Sequence, residues 1–355
     1  MVLKRIRAVV LLALWLCAAR IPVAAAQESY VMKLATLAPP GSTWMVIIED
    51  WARQVEKESG GRLALKLYAG GVAGDESDVL RKIRFGQLHA GAFTGYGIGQ
   101  IYSPARVLEM PFLYRDAGEV DFVRHHIAPD IESGFRSHGF ELLGWMEVGQ
   151  VRFFSREPIH SFDDMRKRKV WIWQGDRLSE MFFKASDISP IPLSITDVFT
   201  SLSTGMIDTA YSTALAAIAM QWFSKTSYVT DAPMATAMGA LLVSRKFYDS
   251  LPTDLQSLLQ KTGRAAGDRL IAQTRIDDSK SIAVLKKNGL RFVFTRDEVS
   301  ESELARIRAR ATTDIVQSGY IPQSLIDRTQ NLLEDYRTKN KGSPKLSCGP
   351  SSGIC

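Results

Sequence analysis

The chain has 355 residues, 46% of them hydrophobic, with 44 Lys and Arg against 38 Asp and Glu and a formal net charge of +6. That composition excludes a disordered chain, and 26 Gly with 14 Pro excludes a collagen-like one. The length suits one large domain or two of about 150 residues each, and a basic balance points to nucleic acid only where the charge is clustered in the mature protein.

Lys4, Arg5 and Arg7 precede an apolar run over residues 8–19 that closes on Ala24-Ala25-Ala26. Basic start, short apolar segment and small residues predict a periplasmic secretory signal over residues 1–26, cleaved after Ala26; the run is too short for a membrane span. Its removal takes Lys4, Arg5, Arg7 and Arg20 and no acidic residue, leaving 40 basic against 38 acidic residues and a net charge of +2. The nucleic-acid reading then loses its support. Cys348 and Cys355 lie in a flexible tail, residues 341–355, and in an oxidising compartment they are expected to close a small disulfide loop.

Residues 30–35 alternate as a strand and run into Pro39-Pro40-Gly41-Ser42. Trp44, Ile47, Ile48, Trp51 and Val55 follow at helical spacing, with Ser42 as the cap and Ser59-Gly60-Gly61 as the stop. Leu63, Leu65 and Leu67 alternate in a second strand, and a second helix covers 76–85 before Gly86. Strand then helix, repeated, predicts an α/β fold with a mostly parallel sheet. The phrase around Gly86, helix then glycine then strand, returns around Gly205, one such unit for each of two lobes. Ligands in open α/β sheets sit beyond the carboxyl ends of strands, so residues 93–96 and 211–213 become cleft candidates.

Gly95-Tyr96-Gly97-Ile98-Gly99 lacks the dinucleotide-binding spacing and reads as a loop that lets backbone approach closely. Residues 253–285 form a long helix expected to run across both lobes, locally weakened by Gly263 and Gly267; residues 301–317 form another, capped by Ser300. After Tyr336 the chain reads as a polar tail. Zinc-protease and phosphate-loop motifs are missing from the sequence, and His125-His126 reads as a solvated pair. The sequence therefore argues against an enzyme and calls for no metal or cofactor.

One long stretch resembles a known family. Glu157-Pro-Ile-His-Ser-Phe-Asp163-Asp-Met, then Lys169-Val-Trp171-Ile-Trp173, resembles a signature segment of the DctP-type extracytoplasmic solute receptors of TRAP transporters. The likeness continues through the segments 190–202, 205–208 and 242–255, and earlier through Gly60-Gly61-Arg62, Gly74-Asp75-Glu76 and Ala105 with Pro111-Phe112-Leu113. It implies two α/β lobes, residues 27–148 with 238–277 and residues 149–237 with 278–340, closing on a solute. It also implies delivery to a TRAP-type membrane permease.

The chain departs from that family at one informative position. Where the family carries an arginine that forks onto an organic acid, residue 171 is Trp, and alignment places Thr94, Val151, Ile195 and Ser212 at other cleft positions. A guanidinium offers a carboxylate two charge-assisted hydrogen bonds, each worth roughly 1.5–3 kcal/mol. Trp offers one donor and about 150–250 Å² of apolar surface. Alternation along a strand puts Trp171 and Trp173 on one face, and with Phe93, Tyr96, Tyr211 and Trp44 they are expected to wall an aromatic cleft for a hydrophobic or amphiphilic solute. This resembles the branch that works with a tetratricopeptide partner. The competing readings are a displaced arginine, Arg152 or Arg177, that still holds a carboxylate, and a ligand sensor that signals to a membrane kinase.

Overall fold

The structure, a computed structural model, describes residues 28–340; the signal segment and the Cys348–Cys355 pair lie outside them. Along the chain the elements are β1 (Tyr30–Thr36), α1 (Thr43–Glu58), β2 (Leu63–Tyr68), α2 (Glu76–Arg84), β3 (Ala90–Thr94), α3 (Gly95–Ile101), α4 (Ala117–Ser137) and β4 (Phe140–Ser155). Then come α5 (Phe162–Arg166), β5 (Trp171–Trp173), α6 (Arg177–Ala185), β6 (Ile191–Leu193), α7 (Val198–Thr204), β7 (Thr209–Thr213), α8 (Ala214–Ala219), β8 (Tyr228–Thr230) and β9 (Ala235–Ser244). The chain continues through α9 (Arg245–Tyr248), α10 (Thr253–Lys287), β10 (Arg291–Val293), α11 (Glu301–Gln317) and α12 (Gln323–Lys339).

The helix starts follow local chemistry. Ser42 caps α1 by accepting from the Met45 amide, and Asp75 with Asp78 makes a reciprocal capping box at α2. Gly86 and Gly205 both take left-handed backbone, φ 73° and 78°, as the two helix–glycine–strand units require. The expected loop at 95–99 is instead the start of α3. Its glycines do allow close approach: a Cβ at Gly95 would overlap the Glu109 carboxylate, and one at Gly97 would press on Glu76 and Phe93.

The main sheet is mixed rather than mostly parallel. β1 runs parallel to β2 and β3, and β8 to β10, but β9 is antiparallel to β3 and β4, and β4 is antiparallel to β7 and β8. The cause is that β4 and β9 are long strands that pass from one half of the molecule into the other. Residues 140–147 of β4 pair only with β9; residues 151–155 pair with β7, β8 and the start of β9. Register shifts at Leu142/Gly144 and Glu147/Gly149, with Gly149 at φ 120°, bend β4 between these halves. β5 and β6 form a separate parallel pair, joined to β7 through a Val170–Thr209 bridge.

Helix α10 crosses the back of this junction. Its Thr262 accepts from the Trp51 indole and its Thr274 from the Trp44 indole, while Leu285 packs with Phe154, Ala214 and Val229 in the other half. Gly263 and Gly267 serve this packing: a Cβ at either would strike the β4 backbone or side chains at Leu143 and Trp145. Their propensity cost, about 1 kcal/mol each, is thus offset by a close helix–sheet approach. Helix α12 carries regular structure past Tyr336 to Lys339, where the sequence suggested a tail. Among the described residues no helix is long and apolar enough to cross a membrane.

Candidate functional site

A cavity of about 190 Å³ lies where the two halves face each other. One side is built by Leu37 after β1, Trp44 on α1, and Thr94 and Tyr96 at the β3–α3 junction. Across from them stand Trp171 and Trp173 on β5, Ile195, Tyr211 and Ser212 on β7, and Trp222. Val151, just past the β4 bend, lies between. Nine of the residues expected from sequence therefore meet in one place: Trp44, Thr94, Tyr96, Val151, Trp171, Trp173, Ile195, Tyr211 and Ser212.

The aromatic wall follows from strand alternation. Trp171 and Trp173 share one face of β5, while Ile172 between them enters a different core with Phe153 and Phe183. Trp171 stacks on Tyr211, ring centres 4.9 Å apart, and meets Trp222 edge-on at 5.4 Å. Its indole N–H donates to the Leu193 carbonyl at 3.0 Å, so that donor is engaged within the protein. Burial pushes the Tyr211 hydroxyl well above the ordinary phenol range, keeping it neutral; it accepts from the Trp173 amide at 3.3 Å.

Two of the expected residues point elsewhere, for the same geometric reason. Phe93 lies between Ala92 and Thr94, which face the cavity, and so enters the core beneath Gly91 and Gly97. Arg152 follows Val151 and projects from the opposite face of β4, where its guanidinium donates to the Thr230 carbonyl at 3.1 Å and to the Asp231 carbonyl. Arg177, the other candidate for a displaced carboxylate ligand, stacks over the Tyr320 ring outside the cavity. Neither arginine lines the cavity.

Sequence reasoning missed Arg106, the only Lys or Arg among the described residues lining the cavity. It comes from the 3₁₀ turn Ser103–Glu109, within the phrase bounded by Ala105 and Pro111, but nothing in that phrase marks it as the inward-facing cation. Its Nη1 donates to Asp176 at 2.9 Å and its Nε lies 2.5 Å from Glu109. Burial works against its charge, but Asp176 and Glu109 outweigh that and hold the guanidinium protonated. The nearby Glu76 is fully buried; burial pushes it up to about 8, while the amides of Thr94 and Gly97, each 2.7 Å away, pull it back.

Several polar contacts join the two walls directly. Asp75, ahead of α2, accepts from the Trp173 indole at 3.0 Å, the Ser194 hydroxyl at 2.6 Å and the Ile195 amide at 3.3 Å. Tyr96 stacks on Trp173 with centres 4.4 Å apart and donates its hydroxyl to the Gln174 carbonyl at 2.9 Å. The Arg106–Asp176 pair is a third link.

Comparison with known proteins places this geometry in a family. The DctP model, described as bacterial extracellular solute-binding protein, family 7, matches residues 34–314. A solute-binding protein of Verminephrobacter eiseniae is 23% identical over 278 residues, covering 78% of this chain and 82% of that one. The sialic acid-binding periplasmic protein SiaP of Vibrio cholerae is 20% identical over 277 residues, covering 76% and 85%. Among solved structures, a TRAP periplasmic solute binding protein of Roseobacter denitrificans with bound β-D-glucuronate superposes with a TM-score of 0.78 at 18% identity, over 85% of this chain and 99% of that one. The sugar acid binding protein of Advenella mimigardefordensis, in complex with galactonate, gives 0.78 at 18% identity, over 87% and 99%. The shared fold is the two-lobed periplasmic binding protein with a long helix, here α10.

Proposed function

The chain belongs to the DctP family of bacterial extracellular solute-binding proteins, TRAP-type periplasmic receptors, and on that premise we propose that its solute is a small hydrophobic or amphiphilic molecule without a carboxylate. The observation that carries this is the state of the cavity's donors. The indoles of Trp171 and Trp173 and the guanidinium of Arg106 are each engaged by a protein acceptor. A carboxylate entering such a site would meet two acidic groups, Asp176 and Glu109, around a single guanidinium, and would lose its water at a cost of several kcal/mol. An apolar solute needs no donor and gains from the apolar wall, in which Tyr211 is backed by the buried rings of Trp171 and Trp222. The volume suits a solute on the order of ten non-hydrogen atoms, since a cavity of about 150 Å³ already holds benzene.

In this reading residues 27–148 with 238–277 form one lobe and 149–237 with 278–340 the other. The bend of β4 at Glu147/Gly149 supports that division. The receptor closes on its solute and hands it to a TRAP-type permease, with a tetratricopeptide protein as a periplasmic partner. The relatives named above that carry sialic acid, glucuronate or galactonate differ from this chain in solute on this reading. The test is to purify the mature protein from its own periplasm, extract it with organic solvent and identify retained compounds by mass spectrometry. A neutral apolar or amphiphilic compound at near one per protein supports the reading; a retained sugar acid overturns it.

A further inference from the structure

We propose that Asp75 is a positioning residue that clasps the two lobes together, so that closure is held by the protein's own carboxylate rather than by a polar group of the solute. The carboxylate stands at the N-cap of α2 and is 8% exposed. From its own lobe it takes backbone amides of the first turn of α2, those of Glu76 and, in the capping box, Asp78; from the other it takes three donors, the Trp173 indole, the Ser194 hydroxyl and the Ile195 amide. These donors come from β5 and from the turn after β6, elements that contribute the aromatic wall of the cavity. Hydrogen bonds to an ionised acceptor are about twice as strong as neutral ones, and here they converge on one group beside the Tyr96–Trp173 stack. Opening the lobes would break all three at once. The clasp thereby fixes Trp173 at its place in the wall and Ile195 at its rim, whatever solute lies between, so the inference stands apart from the chemistry of the solute.

The experiment measures the distance distribution between spin labels at Glu56→Cys in α1 and Lys167→Cys beyond α5, both exposed, in full mature chain carrying Cys348→Ser and Cys355→Ser and stripped of solute. The unsubstituted clasp is expected to give a mainly closed distribution without solute. Asp75→Ala is expected to lower the closed-to-open ratio at least tenfold, which corresponds to about 1.4 kcal/mol. Because Asp75 also caps α2, Ser194→Ala is the second variant: it leaves the cap and both Trp residues intact and is expected to lower the ratio about threefold. A mainly open distribution with Asp75 and Ser194 in place, or distributions unchanged in both variants, would overturn the proposal.

Discussion

Replacing Trp171 by alanine separates a binding wall from a packing residue. The side chain is 1% exposed, stacked on Tyr211 and edge-on to Trp222, so its truncation opens a void in a filled cluster and is expected to cost about 3–5 kcal/mol of stability. The Leu193 carbonyl does not become an orphan, because it also accepts from the Gln174 amide at 3.1 Å. At 1% exposure the ring itself offers a solute only a few Å², worth about 0.1 kcal/mol at roughly 25 cal/mol per Å², so the roughly tenfold rise in Kd expected for Trp171→Ala comes from the lost support of Tyr211 and Trp222 in the wall. Trp171→Phe keeps most of the apolar wall and is expected to change Kd by less than threefold. The assay is calorimetric titration of stripped protein with the compound recovered from it, at a temperature where circular dichroism shows both variants folded. Equal affinity in wild type and Trp171→Ala would refute the assignment of this ring to the solute wall.

Three further outcomes follow from the same contacts. Arg106→Leu leaves Asp176 and Glu109 buried without their cation and is expected to destabilise the protein by about 3–5 kcal/mol in urea unfolding; a loss under 1 kcal/mol would show the cluster to be well hydrated. Arg152→Ala removes donors from the Thr230 and Asp231 carbonyls and should cost about 1–3 kcal/mol of stability with solute affinity changed less than twofold; a tenfold loss of affinity would return Arg152 to the site. Glu76 titrates near 8 in the fold against 4.5 when unfolded, so the folded state holds a proton that the unfolded state has released, and stability falls as pH rises through that window and levels off above it. Burial lowers His89, which opposes this trend around the unfolded value of 6.5, so the clean window is pH 7 to 8, where a loss of about 1 kcal/mol is expected; a melting temperature that climbs over that interval would contradict it.

Much of the site was legible because strand alternation is a strict rule and glycine marks helix ends. Trp171 and Trp173 on one face, and the glycine-ended helices at Gly86 and Gly205, follow from spacing alone. The same rule, applied strictly, would have turned Phe93 and Arg152 away, since each is the neighbour of a cavity-facing residue. The mixed sheet was not legible: only the pairing of β4 with β7, β8 and β9, and of β9 with β3, reveals that β4 and β9 serve both halves of the molecule. Arg106, Asp75 and Asp176 stayed hidden for a related reason. Each is an unremarkable charge in its own segment, and its role exists only through partners 70 to 120 residues away.

The claim that the cleft has no place for a carboxylate is tested most directly by titrating stripped mature protein with sodium D-glucuronate, the kind of solute bound by a protein of the same fold. With Arg106 engaged by Asp176 and Glu109 and indole donors engaged elsewhere, no binding heat is expected below millimolar concentrations. Saturable binding at micromolar concentration that disappears in Arg106→Leu, with the variant still folded, would contradict it and make Arg106 the acid-binding residue.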